Sequence, residues 1–284
     1  MSDSSPSEIG SVLTLWRYPV KSMMGEELNA SEITQRGLLG DRAYALVDNA
    51  DGKVVSAKNP RKWPQMFEFH AALLEEPRTG AKMPGVRLTL PDGTFVSQNQ
   101  SDLNQILSNA LRREITLQAA GQTGDLASGV TSAVRAEAYW PDIEGLDQRD
   151  TVTDFILPEG TFFDAGVVNV LTTATLDRFR ELYPQGRFEI PRFRPNVVVE
   201  SLKGMKGFVE NAWINHVLSI GDEVRLSITR SCLRCVMTTL PQGDLPADSG
   251  ILRAITQHNK NQVGVYASVV RGGTIRRGDR VTIK

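Results

Sequence analysis

Short, turn-bounded runs of alternating apolar and polar residues recur along this chain, and they constrain its fold more than any other feature. Val86-Arg-Leu-Thr-Leu90 alternates with period two, meets Pro91-Asp92-Gly93 and resumes at Thr94-Phe-Val96, the pattern of a hairpin. Ala43–Val47 and Lys53–Ser56 flank Asp51-Gly52 in the same way. Val217–Ile220 and Val224–Thr229 flank Gly221-Asp222, with Val224, Leu226 and Ile228 on one face. Val263, Val265, Ala267 and Val269 alternate before Gly272-Gly273 turns the chain, and Gly278-Asp279 precedes Val281 and Ile283. Close-set strands without strand–helix alternation predict a mainly β chain with barrel or sandwich cores and a few helices, an α+β protein.

Three helices interrupt the strands. Asp102 is the expected cap of a stripe formed by Leu103, Ile106, Leu107, Ala110 and Leu111, with Gln105 at the capping-box position. Thr173 is expected to cap Leu176–Tyr183, closed by Pro184, and Ser249 to cap Ile251–His258. The chain has 284 residues, room for roughly two domains. The stretch Ala119–Ser132, rich in Gly, Ser and Thr, is the boundary candidate. It separates a smaller N-terminal β domain, 11–120, from a larger one, 130–284.

Charge and cysteine usage exclude several functions. With 32 Lys and Arg against 33 Asp and Glu the net charge is −1, without the basic excess that phosphate neutralisation demands, so nucleic acid is not an expected partner. No run approaches about 18 apolar residues, so no membrane span is expected. The opening MSDSSPSEIG lacks the basic start and apolar stretch of a signal peptide and reads as a frayed tail. The chain has two cysteines, both in Cys232-Leu-Arg-Cys235, which suits a reducing compartment and predicts a cytoplasmic protein.

That tetrapeptide supplies two ligands where a structural zinc site takes four, and His70, His216 and His258 lie far apart without ligand spacing. A thioredoxin-like dithiol needs a helix start in a βαβ setting, whereas this motif follows the strand Val224–Thr229. Two readings stay open: small buried apolar residues, or a thiolate favoured by Arg230 and Arg234, able to act as nucleophile or soft-metal ligand. A second candidate is Tyr18-Pro19-Val20-Lys21-Ser22 after the strand Val12–Trp16, where Lys21 and Ser22 offer a cation and a hydroxyl to an anion. In Gly40-Asp41-Arg42 the carboxylate either orients Arg42 or shares the solvent with it. In Pro191-Arg-Phe-Arg-Pro-Asn196 an extended, proline-stiffened segment is expected to present Arg194 and Asn196 on one side, a set suited to an oxyanion or a pterin edge.

In this order YPVKS, GLLGDRAYALVD, RFRPNVVVE, the Trp213–Val224 segment with its W-x4-L-x-I-G-D-x-V spacing, and CLRCVMTT resemble the MOSC family with its N-terminal β-barrel partner domain, from about Ser11 to Lys284. MOSC denotes the C-terminal domain of molybdenum cofactor sulfurases. The chain is similar to amidoxime-reducing components and to bacterial proteins that detoxify hydroxylaminopurines. The resemblance implies an N-terminal β-barrel-like domain followed by a MOSC β-barrel domain, and a molybdenum-molybdopterin cofactor. It places the metal-ligating and catalytic cysteine at Cys235, beside Arg234, with Thr238 and Thr239 following. It assigns cofactor contacts to Lys21, Ser22, Arg42, Asp164, Arg194, Asn196, Arg234 and Thr238. The family's proline after the acidic position is Val167 here and a neighbouring contact position is Ala165, so that loop departs from the pattern. Cys232 matches a cysteine that is not the metal ligand.

The implied activity is reduction of N-hydroxylated compounds, N–OH or N-oxide, at molybdenum. A different class, a cofactor or sulfur carrier with Cys235 as persulfide, also follows from sulfurase kinship. A reductase needs electrons, and this sequence has no strand-following G-x-G-x-x-G, no C-x-x-C-H, since Val236 follows Cys235, and too few cysteines for a four-cysteine cluster. The expected donor is therefore a separate protein: a ferredoxin, a flavodoxin or a haem carrier with its reductase.

Overall fold

The computed structural model describes residues 6–121, 134–146 and 149–284, and most of its ordered elements are strands. Seven of them close into a barrel: β1 (Ser7–Arg17), β2 (Val168–Thr172), β3 (Val197–Ser201), β4 (Val217–Ile220), β5 (Val224–Leu233), β6 (Gln262–Arg271) and β7 (Arg280–Ile283). Their order around the ring is β3-β2-β6-β5-β4-β7-β1, and β1 returns to β3 through Val12↔Val199 and Leu15↔Val197. Closure removes the free edges that an open sheet would expose. Only β2 and β3 run parallel within the ring, and a parallel pair needs a crossover. Helices α2 (Thr173–Leu182) and α3 (Ile190–Phe193) supply it. Inward positions alternate: Val168 and Val170, Val197 and Val199, Val224, Leu226 and Ile228, Val265, Ala267 and Val269 fill the barrel.

The N-terminal half builds its own apolar centre. Tyr44–Asp48 pairs with Ile115–Ala119, and His70–Leu73, Val86–Thr89 and Phe95–Ser97 form a three-stranded sheet. With helix α1 (Leu103–Leu111) these bury Leu46, Trp63, Phe67, Phe69, Leu88 and Leu107. A hairpin of Arg135–Trp140 and Thr151–Ile156 stands beside them, and Ala136 packs with Ala45, Val54 and Phe162. Strand pairing stitches the halves together. Strand β1 belongs to the barrel, and Ala30–Thr34 pairs with Gly273–Arg276.

Several local expectations change in the structure. The segment read as a frayed tail contributes its last residues to β1, where Ser7 faces Ile283 and Gly10 faces Ser201. The hairpin expected around Asp51-Gly52 is present but short: the Asp48 N–H donates to the Lys53 carbonyl at 2.9 Å and the Val55 N–H to the Leu46 carbonyl at 2.8 Å around one Val47↔Val54 bridge, and Val54 also bridges Ala136. After Gly272 the chain joins a different sheet instead of folding back, and a side chain there would collide with the Ile33 carbonyl. Each cap moves. The Thr172 hydroxyl accepts the Thr175 N–H at 3.2 Å to start α2, and the Asp248 carboxylate accepts the Gly250 N–H at 2.8 Å to start α4 (Ser249–Asn259). In both cases the residue before the expected cap has the extended backbone a cap requires. Asp102 precedes α1 without a side-chain cap bond, and Gln105 bonds Asn109 instead of closing a capping box. From residue 122 on, the Ala119–Ser132 boundary stretch lies outside the described residues.

Candidate functional site

Where the end of β1, the loop before β2, the α3–β3 junction and the end of β5 meet, they enclose a cavity of about 350 Å³. Lys21, Ser22, Arg42, Asp164, Arg194, Asn196, Arg234, Cys235 and Thr238 all line it, although more than 200 residues separate the first from the last. The backbone explains part of this convergence. Ser22, Arg42, Arg194 and Asn261, all on the cavity wall, adopt left-handed φ values of 67°, 48°, 49° and 62°. Such conformations cost non-glycine residues energy and persist where surrounding structure imposes them.

Cys235 ends β5's run into a single 3-10 turn, Val236–Thr239, and the Thr238 hydroxyl closes that turn on the Cys235 carbonyl at 3.1 Å. Cys232 is buried and is not among the residues that line the cavity, whereas Cys235 is half-buried and lines it. Burial pushes the Cys235 thiol up; the Lys58 ammonium, the Met237 N–H and the Arg234 guanidinium oppose that in decreasing order. Arg234 thus favours the thiolate as expected, but less than Lys58 does, and burial opposes both. Arg230 lies over the Tyr266 ring, 5.7 Å from its centroid. Arg234 spends three N–H groups on backbone carbonyls, two on Val263 and one, at 2.8 Å, on Phe193. It braces the wall as much as it charges it.

The cations are held in different ways. Lys21, 5% exposed, donates to the Phe162 carbonyl at 2.9 Å and pairs with Asp164. Desolvation draws its pKa down to about 8 against the pull of Asp164. Asp164 is shared, its other oxygen lying 3.0 Å from Lys58. Despite burial, the two ammonium groups hold its carboxyl below the usual carboxylate range. Asp41 settles the question left open for Arg42. It is buried, pairs with Arg42, and accepts the Tyr18 N–H at 2.8 Å. Among the described residues Arg194 pairs with no carboxylate: it donates to the Met23 carbonyl at 2.6 Å, and burial together with Arg42's charge lowers its pKa to about 10.

Some of the expected contact groups are spoken for. Asn196 gives its amide protons to Asp41 at 2.9 Å and the Trp16 carbonyl at 3.3 Å, and its oxygen accepts the Asn169 N–H at 3.0 Å. Ser22 accepts the Ala57 N–H at 3.0 Å and retains its hydroxyl proton as a donor. Nor is the segment carrying Arg194 extended. Pro191 opens the short α3, where a missing N–H costs nothing, and Arg194 is its left-handed C-cap.

Sequence reasoning missed four residues of this site. Lys58 stands 4.6 Å from the Phe155 ring centroid and beside Asp164; its signal was a lysine before the Asn59-Pro60 turn. Buried Arg192 donates to the carbonyls of Arg187, Thr238, Leu240 and Pro246 at 2.8–3.2 Å and so pins the segment behind Cys235. Asn169 and Asn261 line the cavity with buried side-chain oxygens that have no hydrogen-bond partner. Their amide nitrogens face the Phe193, Arg194 and Arg234 carbonyls, which fixes the oxygens as the free ends. No local signal marks either one.

Among the described residues no group of three or more His, Cys, Asp and Glu could hold a metal ion. The cavity thus offers one thiol, a set of cations and two orphaned acceptors. A family model described as MOSC N-terminal beta barrel domain matches residues 9–132, and one described as MOSC domain matches residues 159–282. Similar curated proteins include mitochondrial amidoxime reducing component 2 of Bos taurus, 26% identical over 96% of this chain and 83% of that protein. Mitochondrial amidoxime-reducing component 1 of Mus musculus is 28% identical over 96% of this chain and 82% of that protein. Among solved structures, the YUAD protein from Bacillus subtilis aligns over 97% of this chain and 95% of that one, at 11% identity and a TM-score of 0.47. With the two matched regions following one another along the chain, the protein belongs to the MOSC family, a MOSC N-terminal beta barrel domain preceding a MOSC domain.

Proposed function

We propose that the cavity holds a molybdenum-molybdopterin cofactor and that the protein reduces N-hydroxylated compounds with electrons from a separate donor protein. The observation that carries this reading is the meeting of one half-buried thiol, Cys235, with Lys21, Arg42 and Arg194 in a single enclosed site. The donor set fits such a cofactor. A thiolate is the soft ligand molybdenum takes from a protein, and cations suit a phosphate. The orphaned oxygens of Asn169 and Asn261 need N–H donors such as those on a pterin edge, because a buried acceptor left unpaired costs about 1–3 kcal/mol.

When bound, the cofactor would supply two-electron redox and oxygen-atom-transfer chemistry. The chain's own residues do the rest. Cys235 gives up its thiol proton to ligate, which its burial disfavours and the Lys58 charge assists. Asp41 and Asn196 hold Arg42 in place, and Asp164 keeps both lysines charged near the thiol. Reduction of R–NHOH to R–NH2 and water consumes two electrons and two protons, and the electrons come from outside this chain. Two free thiols fit the reducing cytoplasm to which we assign the protein. No helix among the described residues is long and apolar enough to cross a membrane.

Protein purified from cofactor-competent cells should carry stoichiometric molybdenum and pterin, and should reduce a hydroxylamine or amidoxime with a low-potential dye. NADH or NADPH alone should not drive turnover; a reductase with a ferredoxin, flavodoxin or haem carrier should restore it. Persulfide on Cys235 without metal would hand the function to the sulfur-carrier class. Turnover with NADH and no partner would refute the external-donor reading.

A further inference from the structure

We propose that the Tyr18 ring is a positioning element that sets the Arg42 and Arg194 guanidiniums against a bound anion in the cavity; the inference rests on reading that cavity as the seat of a phosphate-bearing guest. Tyr18 does not line the cavity but lies directly behind it, 1% exposed. Both guanidiniums lie over its ring, Arg42 with its central carbon 4.7 Å from the centroid and Arg194 at 4.1 Å. The backbone is locked to the same group. The Tyr18 N–H donates to Asp41 at 2.8 Å, and the Arg42 N–H donates to the Tyr18 carbonyl at 2.8 Å.

The two arginines depend on the ring unequally. Arg42 has a carboxylate partner, Asp41. Arg194 has none: the one hydrogen bond of its guanidinium among the described residues goes to the Met23 carbonyl, and its charge otherwise rests on the faces of Tyr18 and Phe67. A desolvated cation over an aromatic face is attracted by the ring quadrupole. Stacking leaves the guanidinium N–H groups at its rim free to donate in the plane of the fork, which suits them to a phosphate. The Tyr18 hydroxyl is buried without a hydrogen-bond partner. The ring therefore carries the role, and the hydroxyl does not.

Calorimetric titration of cofactor-free protein with inorganic phosphate separates these claims. Tyr18→Phe should bind within about twofold of wild type, and Tyr18→Leu about tenfold more weakly. Arg194→Ala should abolish the heat and so locate it. Since Tyr18→Leu also leaves a void, a second series places 4-fluoro-, 3,5-difluoro- and pentafluorophenylalanine at position 18. Affinity should fall stepwise with fluorination while the melting temperature holds, a trend that a purely packing role would not produce. Molybdenum and pterin content after expression in cofactor-competent cells should follow the same order. Wild-type binding with no loss in Tyr18→Leu or across the fluorinated series overturns the Tyr18 assignment alone. Loss in Tyr18→Phe equal to that in Tyr18→Leu overturns the role of the ring. A wild-type protein that takes up no phosphate overturns the reading of the cavity along with it.

Discussion

Asp164→Asn removes one carboxylate from two ammonium groups, and its cost follows from how each lysine escapes. Removing one partner of a buried ion pair costs about 3–5 kcal/mol when the other charge must stay. Lys21 need not stay charged. Its pKa is already about 8, so giving up the proton at pH 7 costs about 1.4 kcal/mol, one pKa unit, and that caps its share. Lys58 is less enclosed, 19% exposed beside a carboxylate 25% exposed, so its lost pairing adds about 1 kcal/mol. The variant should therefore be destabilised by about 2–3 kcal/mol at pH 7, seen as a melting temperature lower by about 5–10 °C. The pH dependence has a defined sign. Lys21's pKa is depressed in the folded chain, so the unfolded chain holds the extra proton between about pH 8 and 10.5, and stability gained through this group rises with pH across that window. Near pH 9.5 Lys21 is neutral in both proteins, and the deficit should shrink to the Lys58 share. Thermal melts of both proteins at pH 7 and 9.5 test this, with Lys21→Met expected to recover the Lys21 share at pH 7. An unchanged melting temperature at pH 7, or a deficit that grows toward pH 9.5, refutes the reasoning.

Cys235→Ala should abolish molybdenum content and dye-driven turnover with a native circular dichroism spectrum, whereas Cys232→Ala, a buried position outside the cavity lining, should keep both at a cost of about 1 kcal/mol; equal loss from the two would point to a dithiol. Arg234→Lys cannot satisfy the Val263 and Phe193 carbonyls together and should lower stability by about 2–3 kcal/mol in urea denaturation. Glu210 is buried and accepts the Thr172 and Thr175 hydroxyls at 2.7 and 2.6 Å, and burial raises its pKa above that of an exposed glutamate. A raised carboxyl pKa contributes stability at low pH that is lost as pH rises through it. Glu210→Gln keeps the acceptor without the charge, so its melting temperature should equal wild type below the ordinary glutamate pKa of 4.5 and exceed it above that pH.

How far the sequence alone determined this protein depends on which interactions are local. The hairpins at Pro91-Asp92-Gly93 and Gly221-Asp222 were legible because turn chemistry and period-two alternation reside within a dozen residues, and the structure has both. The mainly β class followed from the same pattern, and the family resemblance from ordered motifs. Caps shifted because Thr172 and Asp248 already had extended backbones that a propensity reading of Thr173 and Ser249 does not see. Only the tertiary structure decided that β1 completes the barrel, because its partners β3 and β7 lie some 180 to 270 residues away. It also decided the chemistry of the site. Arg234 and Arg230 adjoin the cysteines in sequence, yet one is spent on carbonyls and the other stacks on Tyr266, while Lys58, far away along the chain, lies nearer in effect to the thiol. Asn169 and Asn261 carry no motif at all, and Arg192 sits in RFRPN without any sign that it would brace the segment behind Cys235. Burial, charge and unpaired hydrogen-bonding capacity are set by what surrounds a group in space, and for these residues the surroundings come from the whole fold.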